Sequence, residues 1–216
     1  MDIDGNFGIL VFNTQQRGGE MQKQNLCLTS VRLPAWLEQE VALGQILATE
    51  EERMTVAINL AARQVKEGSG GPFGAVVCNL DSGEVIGIGV NQVTASGWSA
   101  AHAEFVAWTM AQETRRSYDL GAEPVGLYTS AQPCVSCWGG LFWTGIARLV
   151  YAATKHDVEQ YAGFDEGPVP ADWQDALVQR GVTVQGSVLR SEAILALKEY
   201  RQLGGEQYNA SLLKNS

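Results

Sequence analysis

Two cysteines three apart, Cys134 and Cys137 in "TSAQPCVSC" (129–137), and a histidine two residues before a glutamate, His102 and Glu104 in "AHAEF" (101–105), are the residues here most suited to joint chemistry. A C-x-x-C by itself is open to three readings: a redox pair, half of a structural zinc site, or two small apolar residues on a helix. A catalytic zinc site takes three protein ligands and leaves a fourth position open. With four cysteines and two histidines in the chain, the third ligand must be His102 or His156. His156, in "ATKHDVE", follows a strand and has no carboxylate at a useful spacing, so it reads as a structural histidine. His102 has Glu104. Two thiolates and a neutral imidazole cancel the charge of Zn²⁺ and acidify a bound water only moderately. A carboxylate that takes the proton and redelivers it completes such a site. Alone, Glu104 would read as a first-turn acid favoured by the helix dipole.

These residues must be positioned by the elements around them. Thr49 and Glu52 form a T-x-x-E capping box ahead of "RMTVAINLAARQV", where Met54, Ile58, Ala61 and Val65 recur at helical spacing and "EGSGG" ends the run. "PFGAVVCNL" and "EVIGIGVNQV", joined by "DSG", predict a β-hairpin. A helix follows from about His102 to Arg116, then a strand "VGLYTS" and a helix opening at Pro133 and Cys134, with Pro133 in its first turn. Beyond lie a strand "ARLVYAA", a helical patch near 155–161, a loop "GFDEGPVPA", a helix "DWQDALVQR" and a strand "VTVQGSVL". The last helix, "SEAILALKEYRQL", is expected to start from an N-cap at Ser191. Strands alternating with helices after one hairpin imply a three-layer α/β/α sandwich around a mixed central sheet.

Residues 1–47 are heterogeneous and read as an N-terminal extension with some ordered structure, in which Met21 offers an internal start. Residues 48–216 form one domain with a C-terminal tail. Hydrophobic residues at 45% and charged residues at 18% describe a globular chain. Fifteen basic against 24 acidic residues leave a net charge of −9, which argues against a nucleic-acid surface. The N-terminus lacks the basic and apolar regions of a secretory signal, and the longest apolar run, "CWGGLFWTGIA", is too short for a bilayer. A cytoplasmic location without membrane contact is expected, where C-x-x-C serves metal or catalysis rather than a disulfide. Cys27 and Cys78 have no spaced partners, and Cys78 reads as a buried small hydrophobe.

The joint pattern H-A-E…P-C-x-x-C is that of zinc deaminases. With "GGPFGAVV" (70–77), "NQVTAS" (91–96), "AHAE" (101–104), "TSAQPCVSC" (129–137) and "GFDEGP" (163–168), the chain resembles the cytidine deaminase-like superfamily over residues 50–210, and within it the bacterial guanine deaminases. The resemblance implies a zinc-dependent aminohydrolase in which His102, Cys134 and Cys137 hold Zn²⁺ and Glu104 shuttles protons. Ammonia would leave an amine-bearing ring carbon, and guanine would become xanthine. Glu166 matches a second pocket acid facing the ring N–H and amino groups, and otherwise reads as a solvated loop acid. Asn91 matches a purine-contacting amide, and otherwise closes a turn. Phe73 could stack on a purine or belong to the core. "YNASLLKNS" resembles a tail that covers a neighbouring subunit's pocket, with Tyr208 as candidate, which implies a homodimer with exchanged C-terminal tails. The chain departs from the family at Gln132, where Glu is usual before Pro-Cys, and in the bulky "WGGLFW".

Other aminated heterocycles (an aminotriazine, a guanosine-type nucleoside, cytosine) remain alternatives, as does tRNA adenosine, which the acidic balance disfavours. A zinc-stabilised interaction module would want a fourth ligand in place of Glu104. A thioredoxin-like oxidoreductase would leave His102 and Glu104 without a role.

Overall fold

Thr49 caps the longest helix as its sequence requires. In the computed structural model, which describes residues 31–210, its hydroxyl accepts from the Glu52 N–H at 3.1 Å and the Glu52 carboxylate accepts from the Thr49 N–H at 2.9 Å. Met21, Cys27 and the last six residues of the tail lie outside the described residues.

In chain order, the structure opens with a single helical turn α1 (Leu37–Glu40), the capped helix α2 (Glu50–Glu67), and the hairpin β1 (Gly74–Asn79) and β2 (Val85–Val90). A short turn of helix α3 (Val93–Ser96) leads to α4 (Ala103–Arg115), β3 (Val125–Ala131), α5 (Val135–Leu141) and β4 (Arg148–Ala153). Then come α6 (Lys155–Asp157), continued by a π-helical turn (Val158–Ala162), α7 (Trp173–Val178), β5 (Thr183–Gln185) and α8 (Arg190–Gln202).

The five strands lie in the order β2-β1-β3-β4-β5, with β1 antiparallel to both neighbours and β3, β4 and β5 parallel. The mixed sheet and its two helical layers agree with the sequence-based expectation. Successive strand residues point to opposite faces. Val76, Val90 and Tyr128 pack beneath α2 and α8 with Met54, Leu60 and Leu197. Ala75, Val77, Ile86 and Leu127 face α4, α5 and α7, against Ala107, Trp108, Cys137 and Leu177. Each large apolar side chain buried in these layers contributes about 1.5–3 kcal/mol.

Segment 36–47 joins the first layer. Trp36, Leu37, Val41 and Leu47 are buried in it, Gly44 and Gln45 hydrogen-bond Val85 at the start of β2, and Leu47 bonds Gly83 just before it. The first residue of that edge strand is thereby paired.

Several local expectations are corrected. The strand expected from Glu84 to Val93 ends at Val90, because Asn91 and Gln92 turn the chain into α3. The strand expected over 182–189 keeps only Thr183–Gln185, since Ser187 and Leu189 adopt positive φ angles of 62° and 53°. The last helix is not capped by Ser191. It begins at Arg190 behind a left-handed Leu189, and Arg190 binds both carboxylate oxygens of Asp157 at 2.7 and 2.8 Å. A long-range ion pair thus sets the start where local capping would have placed it later. Pro133 precedes α5 rather than entering it, and Cys134 is the N-cap.

Candidate active site

Strand register brings the site segments to one end of the sheet. Gly74 pairs with Val90 and Ala131 with Ala153, so the start of β1 and the ends of β2, β3 and β4 lie together. From these ends emerge Phe73, Asn91, the Gln132–Cys134 turn and Thr154. Helix α4 is pressed onto β2 at two glycines. A Cβ on Gly87 would stand 2.2 Å from the Ala107 carbonyl oxygen, and one on Gly89 only 2.0 Å from that of Ala103. That close approach carries His102, the N-cap of α4, to the same sheet end.

The His102 Nδ1 atom lies 3.4 Å from Cys134 Sγ and 3.5 Å from Cys137 Sγ. All three ligand atoms fall within 4.8 Å of one another. A tetrahedral zinc bonded to sulfur and imidazole nitrogen separates those donors by about 3.6 Å, so the set fits the ion. No other His, Cys, Asp or Glu among the described residues joins the group, which leaves a fourth position for a small molecule. His156 is exposed and plays no part.

Before any cation is counted, the field at this site is steep. The Cys137 thiol donates to Cys134 and, despite burial, draws its thiol down to about 4, aided by His102. Burial pulls His102 down, but the hydrogen bond and negative charge of Cys134 reverse that and raise it to about 9. Burial pushes Cys137 well above the usual thiol range, reinforced by Cys134 and Glu104. Glu104, buried on the first turn of α4, is pushed up to about 7 by desolvation and the Cys134 thiolate, with His102 opposing. Glu166 is driven well above the usual carboxylate range by burial, then by Cys134 and Glu104. A dication among the thiolates would counter this excess of negative charge.

The site opens into a cavity of about 370 Å³, lined by residues that include His102, Glu104, Cys134, Asn91, Glu166, Phe73 and Tyr208. All the candidate residues except the enclosed Cys137 thus line one cavity. Asn91 serves both readings offered for it. Its Oδ1 accepts from the Val93 N–H at 3.2 Å, closing a turn, and its Nδ2 has no protein partner among the described residues.

Glu166 is held through its main chain. Its carbonyl accepts from the Val135 N–H at 3.0 Å, so the loop satisfies the first turn of the cysteine-bearing helix. Gly167, at φ 73°, lets that loop bend, and its carbonyl accepts from the Lys155 ammonium. The Lys155 N–H in turn donates to Gln132 Oε1 at 3.1 Å. At that position a glutamine accepts as well as a glutamate.

Tyr208 reaches the cavity of its own chain. Its hydroxyl is buried with no hydrogen-bond partner among the described residues, and a Cβ on Gly71 would stand 2.0 Å from it. Asn209 holds this tail to the loop by accepting from the Asp165 N–H at 3.0 Å and donating to its carbonyl at 2.9 Å.

Sequence reasoning missed Phe164. It is buried at the cavity wall with its ring centroid 5.4 Å from Phe73, 4.7 Å from Tyr208 and 5.8 Å from Tyr200. Its position directly before the acids of "GFDEGP" was the available signal.

The model of the cytidine and deoxycytidylate deaminase zinc-binding region matches residues 47–153. A guanine deaminase of Bacillus subtilis is 40% identical over 110 residues, which span 51% of this chain and 67% of that protein. The solved structure of a guanine deaminase from Nitrosomonas europaea is 39% identical and covers 85% of this chain and 100% of that one, with a TM-score of 0.77. A further structure, in complex with 2,6-diaminopurine, is 42% identical over 83% of this chain and 96% of that one, also with a TM-score of 0.77.

Proposed function

This chain belongs to the zinc-binding cytidine and deoxycytidylate deaminase family, and on that premise we propose that it deaminates a free purine base, converting guanine and water to xanthine and ammonia. The observation that carries this reading is the convergence of an open His-Cys-Cys donor set, Glu104, Asn91 and Glu166 on one cavity. The likeness to guanine deaminases singles out guanine within the family.

Zinc held by His102, Cys134 and Cys137 would supply the Lewis acidity that makes water nucleophilic near neutral pH. The protein does the rest. Glu104, two residues from the ligand His102, takes the water proton on a carboxylate oxygen and returns it to the amine nitrogen, which departs as ammonia. Asn91 donates from Nδ2 to an acceptor on the purine edge, while the Glu166 carboxyl meets ring N–H and amino donors. Phe73 offers a ring face, and Phe164 backs it. Tyr208 closes the cavity against bulk water from the tail.

Assembly belongs to the same proposal. Trp143 is 82% exposed just past the end of α5, next to Phe142, whose ring packs edge-on to Trp138, an aromatic surface suited to a second copy. The described tail, to Ala210, sits against its own chain and supports closure in cis. The net charge of −9 agrees with a small-molecule substrate rather than a nucleic acid, and a cytoplasmic reaction is part of the same proposal. No described helix is long and apolar enough to cross a membrane.

The test is ammonia release by the zinc-loaded protein from guanine, guanosine, adenine, cytosine and an aminotriazine. Turnover of guanine in clear preference is expected. Turnover of another member alone would overturn the substrate, and silence across the panel would overturn the reaction.

A further inference from the structure

Gln64 is fully buried at 0% exposure near the end of α2, 27 residues before Asn91. Both ends of its amide are used. Nε2 donates to the main-chain carbonyl of Asn91 at 2.5 Å, and Oε1 accepts from the Ser69 hydroxyl at 2.9 Å. The same hydroxyl oxygen accepts from the Trp36 indole N–H at 3.2 Å. The direction of the chain is unambiguous, because an indole can only donate and a carbonyl can only accept. Three hydrogen bonds therefore run from the N-terminal segment to the cavity: Trp36 to Ser69, Ser69 to Gln64, Gln64 to Asn91.

The path is fastened at both ends. The Arg63 guanidinium lies 5.4 Å from the Trp36 ring centroid and hydrogen-bonds Gln39 and Glu40 of α1. At the other end, the Asn91 N–H donates to the Phe73 carbonyl at 3.2 Å, and Gln92 Nε2 gives the Asn91 carbonyl a second donor at 2.9 Å. Gly70 makes room for the junction, since a Cβ there would stand 2.1 Å from Gln64 Nε2 and 2.3 Å from the Asn91 carbonyl oxygen. The peptide plane of Asn91 is thus set by a glutamine 27 residues away. With its N–H held by Phe73 and its Oδ1 by the Val93 N–H, fixing that plane completes the set of bonds that aim its Nδ2, which has no protein partner among the described residues.

We propose that Gln64 is a positioning residue for Asn91, and that the segment around Trp36 tunes substrate affinity through Ser69 and Gln64. The proposal rests on the reading of Asn91 as a purine contact. It assigns residues 36–40 a task beyond covering the core.

The test is a double-mutant cycle on the zinc-loaded full chain, with kcat, KM for guanine and bound zinc measured for each variant. Gln64→Met keeps the volume and removes both hydrogen bonds. It is expected to raise KM about tenfold, with kcat within about threefold of wild type and zinc unchanged. In an Asn91→Ala background the same substitution is expected to add nothing. An equal KM rise in both backgrounds, or a loss confined to kcat, overturns the positioning role.

Ser69→Ala breaks the two links made by its hydroxyl and Trp36→Phe breaks one, both leaving Gln64 in the core, and they carry the test if Gln64→Met does not fold. Each is expected to raise KM about two- to threefold, and only when Asn91 is present. No change in either variant overturns the path from the N-terminal segment. A wild-type enzyme silent on guanine refutes the substrate reading instead, and the cycle then runs on the base it does deaminate. An Asn91→Ala variant with wild-type KM removes the contact and this inference with it.

Discussion

The two walls of the cavity are built differently. On one side, His102, Glu104, Cys134 and Cys137 sit at the starts of α4 and α5, and α4 lies against β2 where glycine alone permits the contact. On the other, Glu166 and Tyr208 are carried by a loop and a tail, held by main-chain hydrogen bonds to Val135, Lys155 and Asn209. Chemistry that needs atoms fixed within a fraction of an ångström is placed on packed helices. On the proposed roles, the recognition carried by Glu166 and Tyr208 sits instead on a loop and a tail latched by hydrogen bonds.

If that contrast is right, changes to the helical wall should act as all or none, and changes to the latched wall should be graded. The largest effect is expected for Cys134→Ala. It should lose zinc, show no measurable turnover, and melt on the order of 10 °C lower, because metal binding is linked to folding. Metal analysis alongside calorimetry checks this, and full zinc occupancy in the variant would break the ligand assignment.

Next is Glu104→Ala, expected to keep its zinc and its melting temperature while kcat falls by about 10³ or more. A variant with normal turnover would move the proton carrier elsewhere. On the latched wall, Asn209→Ala removes both hydrogen bonds to Asp165 and should raise KM for guanine by about three- to tenfold, with kcat little changed. A collapse of kcat there would erase the distinction between the walls.

The smallest effect lies behind the site, where Asp157 braces α6 against α8. Its side chain is 2% exposed, against 45% for Arg190. The Arg190 guanidinium, with the Thr154 N–H and hydroxyl, draws its carboxyl down to about 2 against the cost of burial. A depressed carboxyl stabilises the fold above its unfolded value near 4, and that stabilisation is lost as pH falls toward 2. Asp157→Asn should therefore cost about 1–2 kcal/mol at neutral pH, discounted for the exposed partner. The gap from wild type should close between about pH 4 and pH 2 in denaturant titrations. A gap constant across that range would assign the brace to packing instead of charge.

Legibility along the chain follows the same division. The capping box at Thr49 and the Pro-Cys-x-x-Cys turn rest on contacts between near neighbours, and both appear where their residues stand. Ser191 looked like a cap for the same local reason. It failed because the Arg190–Asp157 pair, 33 residues apart, sets the helix start. Phe164 went unread although it directly precedes the acids of "GFDEGP", because residue type alone does not separate a cavity aromatic from a core one.

The sequence by itself determined the inventory: two thiolates on one helical turn, an imidazole two residues from a carboxylate, and an amide and a second acid in recognisable contexts. Residue type and short spacing are properties of the chain. Only the tertiary structure decided that His102 reaches the sulfurs across 32 and 35 positions, that Tyr208 enters its own chain's cavity, and that Gln64 grips the Asn91 carbonyl. Those contacts depend on strand register and on how closely helices can approach the sheet. Both are set by the summed packing of residues far apart in the chain.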